Sequence, residues 1–211
     1  MTVPRRALVV VDAQQEYFTG ILQIQAPPRE ESLANIVAAM DVAAEHDLPV
    51  IVVQHQEPAG SPVFAEGSES WALHPEVERR LRPSYKRLAK SYSSVFAGND
   101  LAAWLAEQNV DTITIAGYMT NNCDLASAVS AEELGLATEI LSDASGAIHL
   151  ANDAGKVSAD QLHETLMVLL HSNFAAVATT EVWSEAVRSG EPLPKSDLGT
   201  SAVQGVAAFG G

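Results

Sequence analysis

The sequence predicts an α/β protein of one domain, with a mostly parallel sheet covered by helices on both faces. Three observations carry this expectation. Short β-branched apolar runs alternate with longer stretches whose apolar residues recur at helical spacing. The first run, "ALVVV" at 7–11, is continuously apolar and ends in a charge, as a strand buried on both faces should. The chain has 211 residues, of which 47% are hydrophobic, enough to bury one sizeable core.

The elements follow in order. After the first strand, Ser32 opens a helix in which Leu33, Ile36, Val37, Met40 and Ala44 share a face. "PVIVV" at 49–53 is the second strand, and 85–90 forms a third, less apolar one. Asn99 or Asp100 caps a helix that turns Leu101, Trp104 and Leu105 inward. "TITIA" at 112–116 is the fourth strand, and the helix after Thr120 carries Leu125, Ala128, Val129 and Leu134. "ATEIL" at 137–141 is the fifth strand. Ser158 and Gln161 form a capping box before Leu162, Leu166, Leu169 and Leu170. "AAVAT" at 175–179 and a helix through Trp183 and Val187 complete the domain. Such alternation implies right-handed βαβ crossovers.

Two stretches break the rhythm. Residues 57–82, rich in Pro, Gly, Ser and Glu, are too long for a tight connection and are expected to lie over the site. The domain is expected to span 1–189, with 190–211 as a C-terminal tail that docks elsewhere or stays mobile.

Composition excludes some functions. A formal net charge of −15 disfavours nucleic-acid binding, because an acidic surface repels phosphate backbones. One cysteine forms neither a disulfide framework nor a cysteine-based zinc site. The first apolar run stops after five residues, too short for a signal-peptide core or a membrane span. The expectation is a cytoplasmic protein acting on a small molecule, with no membrane partner.

Functional groups of open α/β sheets gather beyond the carboxyl ends of strands. Asp12 follows the first strand, Lys90 ends the third, and Cys123 lies on the turn after the fourth. One ionisable residue there is commonly just a polar stop; three together suggest chemistry. A helix N-terminus and the Lys90 ammonium would stabilise a Cys123 thiolate and lower its pKa. Asp12 would take the thiol proton and later return it to a leaving group. Backbone N–H groups of Met119 and Cys123 would cradle an oxyanion.

These residues carry a family resemblance. "VVVDAQQEYF" resembles the strand-then-"DxQxxF" opening of the isochorismatase-like cysteine hydrolases, with Asp12, Gln14 and Tyr17 at the motif positions. "KSYSSVF" is similar to the family's "KxxxSxF" at Lys90, Ser94 and Phe96, and "AGYMTNNC" to its "GxxTxxC" at Gly117, Thr120 and Cys123. "SDAS" at 142–145 and His163 are weaker landmarks. The resemblance implies an Asp12–Lys90–Cys123 triad and a Rossmann-like three-layer sandwich of sheet order 3-2-1-4-5-6. It also implies a non-proline cis peptide just before Met119 and a homo-oligomer, commonly a dimer or tetramer.

Nicotinamidase-like members of that family bind a metal through an Asp-x-His pair after the second strand. Here the stretch reads "VVQHQEP", so the pair is absent, and neither metal nor other cofactor is expected. An improvised site from His55, Glu57 and His74 is the alternative. Phe18, His55, Trp71 and Tyr118 are candidates to line the substrate pocket, while His149 and His163 read as structural. The leading function is cysteine-dependent hydrolysis of a C–N bond in a small amide, imide, ureido compound or lactam. Hydrolysis of a vinyl ether, which needs the acid but no thiol, is the alternative on the same fold. A catalytically idle ligand-binding module is the third reading.

Overall fold

A computed structural model describes residues 3–210. In chain order the elements are β1 (Arg6–Val11), α1 (Arg29–Glu45), β2 (Val50–His55), α2 (Pro75–Glu78), β3 (Lys86–Lys90), α3 (Leu101–Glu107), β4 (Thr112–Tyr118), α4 (Leu125–Glu133), β5 (Ala137–Gly146), β6 (Leu150–Asn152), β7 (Gly155–Val157), α5 (Ala159–Asn173), β8 (Ala176–Ala178), α6 (Thr180–Ser189) and α7 (Leu198–Phe209). Six of the strands form one parallel sheet of order β3-β2-β1-β4-β5-β8, and β6 and β7 pair as a separate hairpin.

Side chains alternate across β1 and so supply two cores. Leu8 and Val10 pack with Ile36, Met40 and Trp183, under α1 and α6. Ala7, Val9 and Val11 pack with Leu101, Leu105, Ala128, Leu166 and Leu170, under α3, α4 and α5. The result is the expected three-layer arrangement. Strand order reverses between β1 and β4, which opens a crevice beyond their carboxyl ends.

The opposite end of the sheet holds a buried polar network. Arg6 makes an ion pair of 2.9 Å with Glu139, and its guanidinium also donates to the carbonyls of Ala186 and Glu191. Trp183 Nε1 donates to Thr114 Oγ1 and Glu139 Oε2, so every oxygen of the carboxylate is used. This ties the first strand to the stretch after α6.

Several boundaries differ from expectation. α1 starts at Arg29, and Ser32 lies buried inside it, its hydroxyl 2.8 Å from Tyr118 Oη. α4 ends at Glu133, and the left-handed Gly135 turns the chain, which leaves Leu134 exposed beyond the helix. Leu169 is also exposed, while Met167 takes the inward place on α5. β5 runs on to Gly146 because a register shift in β4 lets Ser145 and Gly146 pair with Gly117 and Tyr118. Asn99 Oδ1, rather than Asp100, accepts from the Leu101 N–H at the start of α3. Ser158 caps α5 through the Gln161 N–H.

The insertion folds back on the chain after Asp12. Gln15 and Glu16 N–H groups donate to the carbonyls of Ala72 and Ser70, and His74 N–H donates to Ala13. Phe64 is buried, its ring 5.4 Å from Tyr17 and 5.0 Å from His55. In the tail, Leu193 is buried and α7 lies beside α5.

Candidate active site

Three strand ends supply the site. Asp12 leaves β1 in the left-handed region, φ 50°, which turns its carboxylate out of the ladder. Lys90 is the last residue of β3 and lies in register with His55, the last of β2. Cys123 sits in a wide helical turn, Thr120–Asp124, between β4 and α4. β4 approaches β1 there because residue 117 is glycine. Gly117 pairs with Val11 at φ 131°, and a Cβ would lie 1.9 Å from the Val11 carbonyl oxygen. No other residue fits.

The expected triad is brought together around one ammonium. Lys90 Nζ is 2.6 Å from Asp12 Oδ2, 3.2 Å from Cys123 Sγ and 3.2 Å from His55 Nδ1. The three triad residues are closed off from solvent, Cys123 at 2% exposure. Burial pushes the Asp12 carboxyl above the ordinary range, against the pull of Lys90. Burial alone would lower Lys90, yet the flanking Asp12 and Cys123 more than offset it and hold the ammonium above its usual value.

The thiol does not behave as expected. Burial raises the Cys123 pKa, the adjacent Asp12 carboxylate adds to the rise, and Lys90 only partly counters them. The one ammonium lies between the Asp12 carboxyl and the sulfur, so the two compete for it and the thiolate is disfavoured.

A metal does not fit this arrangement. Among the described residues, the one group of three ligand types within reach of each other is Asp12, His55 and Cys123. The Lys90 ammonium occupies the space between those very atoms. The alternative set is no better. His55 Nε2 faces Glu57 Oε1 at 3.1 Å, but His74 Nδ1 accepts from the Glu76 N–H at the start of α2.

The surrounding residues divide into wall and frame. His55 touches the triad directly. Phe18 is half-buried and stacks on His74 and against the Tyr118 edge. Trp71 is half-buried and its Nε1–H is a buried donor without a partner among the described residues. Tyr118 is wholly buried between Tyr17 and Ser32. The peptide bond between Tyr118 and Met119 is cis. Gln14 clamps the His55 backbone, accepting from its N–H at 2.7 Å and donating to its carbonyl at 3.0 Å, and also donates to the Trp71 carbonyl. His163 bridges Thr120 Oγ1 and the Ser142 carbonyl, and His149 Nδ1 accepts from the Ala159 N–H. Both are structural. One group went unanticipated: Asp124 is fully buried, its carboxyl pushed up to about 8 chiefly by that burial. Its only signal in the sequence is an acid directly after the cysteine.

A parallel sheet whose switch point carries a buried carboxylate, ammonium and thiol defines a class of α/β hydrolytic enzyme. The Isochorismatase domain model matches residues 6–182, and the chain belongs to the isochorismatase family of hydrolases. A solved structure from Burkholderia xenovorans LB400 that carries the isochorismatase name is similar at 46% identity and TM-score 0.95, covering 98% of this chain and 99% of that one. The isochorismatase family protein YddQ of Bacillus subtilis is 29% identical over 84% of this chain and 97% of its own length. Maleamate amidohydrolase of Pseudomonas putida is 29% identical over 68% of this chain and 73% of its own.

Proposed function

We propose that the chain hydrolyses a C–N bond in a small amide, imide, ureido compound or lactam through a thioester on Cys123. The observation that carries this reading is the Lys90 ammonium in simultaneous contact with the Asp12 carboxylate and the Cys123 sulfur. Likeness to a maleamate amidohydrolase supports the amide class.

The steps follow from proton balance. Asp12 takes the Cys123 proton as sulfur attacks the carbonyl carbon, and Lys90 steadies the developing thiolate. The carbonyl oxygen becomes an oxyanion within reach of the Met119 and Cys123 N–H groups. Asp12, now neutral, gives its proton to the departing nitrogen, and the C–N bond breaks. Water then enters, loses a proton to Asp12 and attacks the thioester carbon. The acid leaves, and the proton returns from Asp12 to sulfur. A raised Asp12 pKa suits both halves of this cycle, because the group must accept and return one proton. Phe18, His55 and Trp71 bound the substrate, with the Trp71 indole N–H, unpartnered among the described residues, available to an acceptor on it.

Release of ammonia or amine from a panel of small amides tests the reading. Cys123→Ala should abolish turnover and Cys123→Ser should leave roughly 1% or less, since loss of a covalent nucleophile typically costs several orders of magnitude. Full amide hydrolysis by the alanine variant would overturn the thioester route.

A further inference from the structure

We propose that His55 and Glu57 form a positioning relay that fixes the Lys90 ammonium through one defined histidine tautomer. The inference rests on the thiol chemistry proposed above and adds two residues to its machinery.

The donor count at Lys90 is the starting point. An ammonium has three N–H donors and no acceptor. The Lys90 side chain has no exposed surface, so water is not at hand to satisfy a free donor. Three acceptors surround it: Asp12 Oδ2 at 2.6 Å, Cys123 Sγ at 3.2 Å and His55 Nδ1 at 3.2 Å. The three acceptors match its three donors in number, Asp12 as an ion pair and the sulfur and imidazole in hydrogen-bond geometry. If His55 Nδ1 accepts from an ammonium, it carries no proton. The ring hydrogen is then on Nε2, and Nε2 lies 3.1 Å from Glu57 Oε1, which accepts it. Glu57 therefore selects the tautomer that Lys90 requires.

The backbone enforces the same geometry. His55 and Lys90 are register partners at the ends of β2 and β3. Gln14 holds the His55 peptide by two hydrogen bonds, and the Gln56 N–H donates to the Lys90 carbonyl at 2.8 Å. Phe64 packs on the imidazole face. The charged and titratable groups around the relay are Asp12 from the end of β1, Lys90 from β3, Cys123 and Asp124 from the turn after β4, and Glu57. Without the imidazole acceptor, one ammonium N–H points at nothing, and the amine is free to turn away from sulfur.

Two measurements on the intact protein, neither needing a substrate, test the relay. Long-range 1H–15N correlation spectra should show His55 as the Nε2–H tautomer, its signal assigned by loss in His55→Asn. An Nδ1–H ring, or one protonated at both nitrogens, would overturn the proposal. The second readout is the pH midpoint of iodoacetamide alkylation at Cys123, the only cysteine. The midpoint, unlike the absolute rate, does not depend on how readily reagent enters. His55→Leu should move it upward by about one pH unit, a tenfold smaller thiolate fraction at neutral pH. His55→Asn, which keeps an acceptor near the Nδ1 position, should hold the midpoint within about half a pH unit of wild type, about threefold in thiolate fraction and well inside that tenfold effect. Glu57→Leu alters a more exposed side chain and should give a mixture of tautomers with an intermediate midpoint, so the test survives if His55→Leu fails to fold. Wild-type midpoints in both leucine variants would sink the relay, whatever the turnover assays show.

Discussion

Asp124 shows what one buried carboxyl does to stability. Among the described residues its oxygens make no well-formed hydrogen bond, Ser145 nearby only partly relieves it, and burial pushes its pKa to about 8 from an ordinary value near 3.8. Between those two values the folded chain keeps a proton that the unfolded chain has lost. Stability therefore falls as pH rises from about 4 to about 8, then levels off. Asp124→Asn, neutral and of the same shape, escapes this cost. Its melting temperature should be close to wild type near pH 4 and exceed it by a growing margin towards pH 8; a margin that shrinks with pH would refute the assignment. At this scale the sequence was partly readable. Asp12, Lys90 and Cys123 stand out because each closes a strand or follows one. The state of the thiol was not readable, since it depends on how deeply the fold buries it and on Asp12 pairing with the same cation. Ser32 likewise reads as a helix opener, and only the crossing of α1 over β4 reveals it as the partner of Tyr118.

Among the elements, β4 is the one with least freedom. Its passage beside β1 needs residue 117 without a side chain, at a φ that L-residues avoid. Gly117→Ala meets backbone rather than a movable side chain, so strain and overpacking add. The expected loss is about 3 kcal/mol or more, a fall in melting temperature of roughly 6–12 °C for a chain of this size. A melting temperature within a degree or two of wild type would mean that β4 can move away from β1. Continuous apolar runs made the central strands legible, because burial on both faces is written residue by residue. The hairpin of β6 and β7 was missed, because its three-residue strands are exposed and carry no periodic signal. The extension of β5 through "SDAS" was hidden for a related reason: polar residues there pair with the end of β4 rather than filling a core.

At the scale of the whole molecule, the open matter is α7. No residue of this helix is buried and none is charged, in a chain of net charge −15. Leu198, Val203, Val206 and Phe209 are exposed, Phe209 at 93%. An apolar face of that kind usually marks a contact, and an uncharged helix lets two acidic copies approach without repulsion. Phe64 in the insertion, by contrast, is buried within its own chain. Light scattering at micromolar concentration should report at least twice the 22.4 kDa chain mass, and Val206→Glu with Phe209→Glu should return it to one. A wild-type monomer would show that α7 stays uncovered. The Arg6 network at the far end of the sheet has a different consequence, one that concerns time. Arg6 leaves the ribosome 133 residues before Glu139 and 185 residues before the Glu191 carbonyl. At about 5–20 residues per second, the guanidinium waits roughly 7–27 s for its carboxylate alone. The central strand is thus made before the other strands of its sheet and completed late, and its guanidinium must be kept from other partners until β5 and the stretch after α6 have emerged.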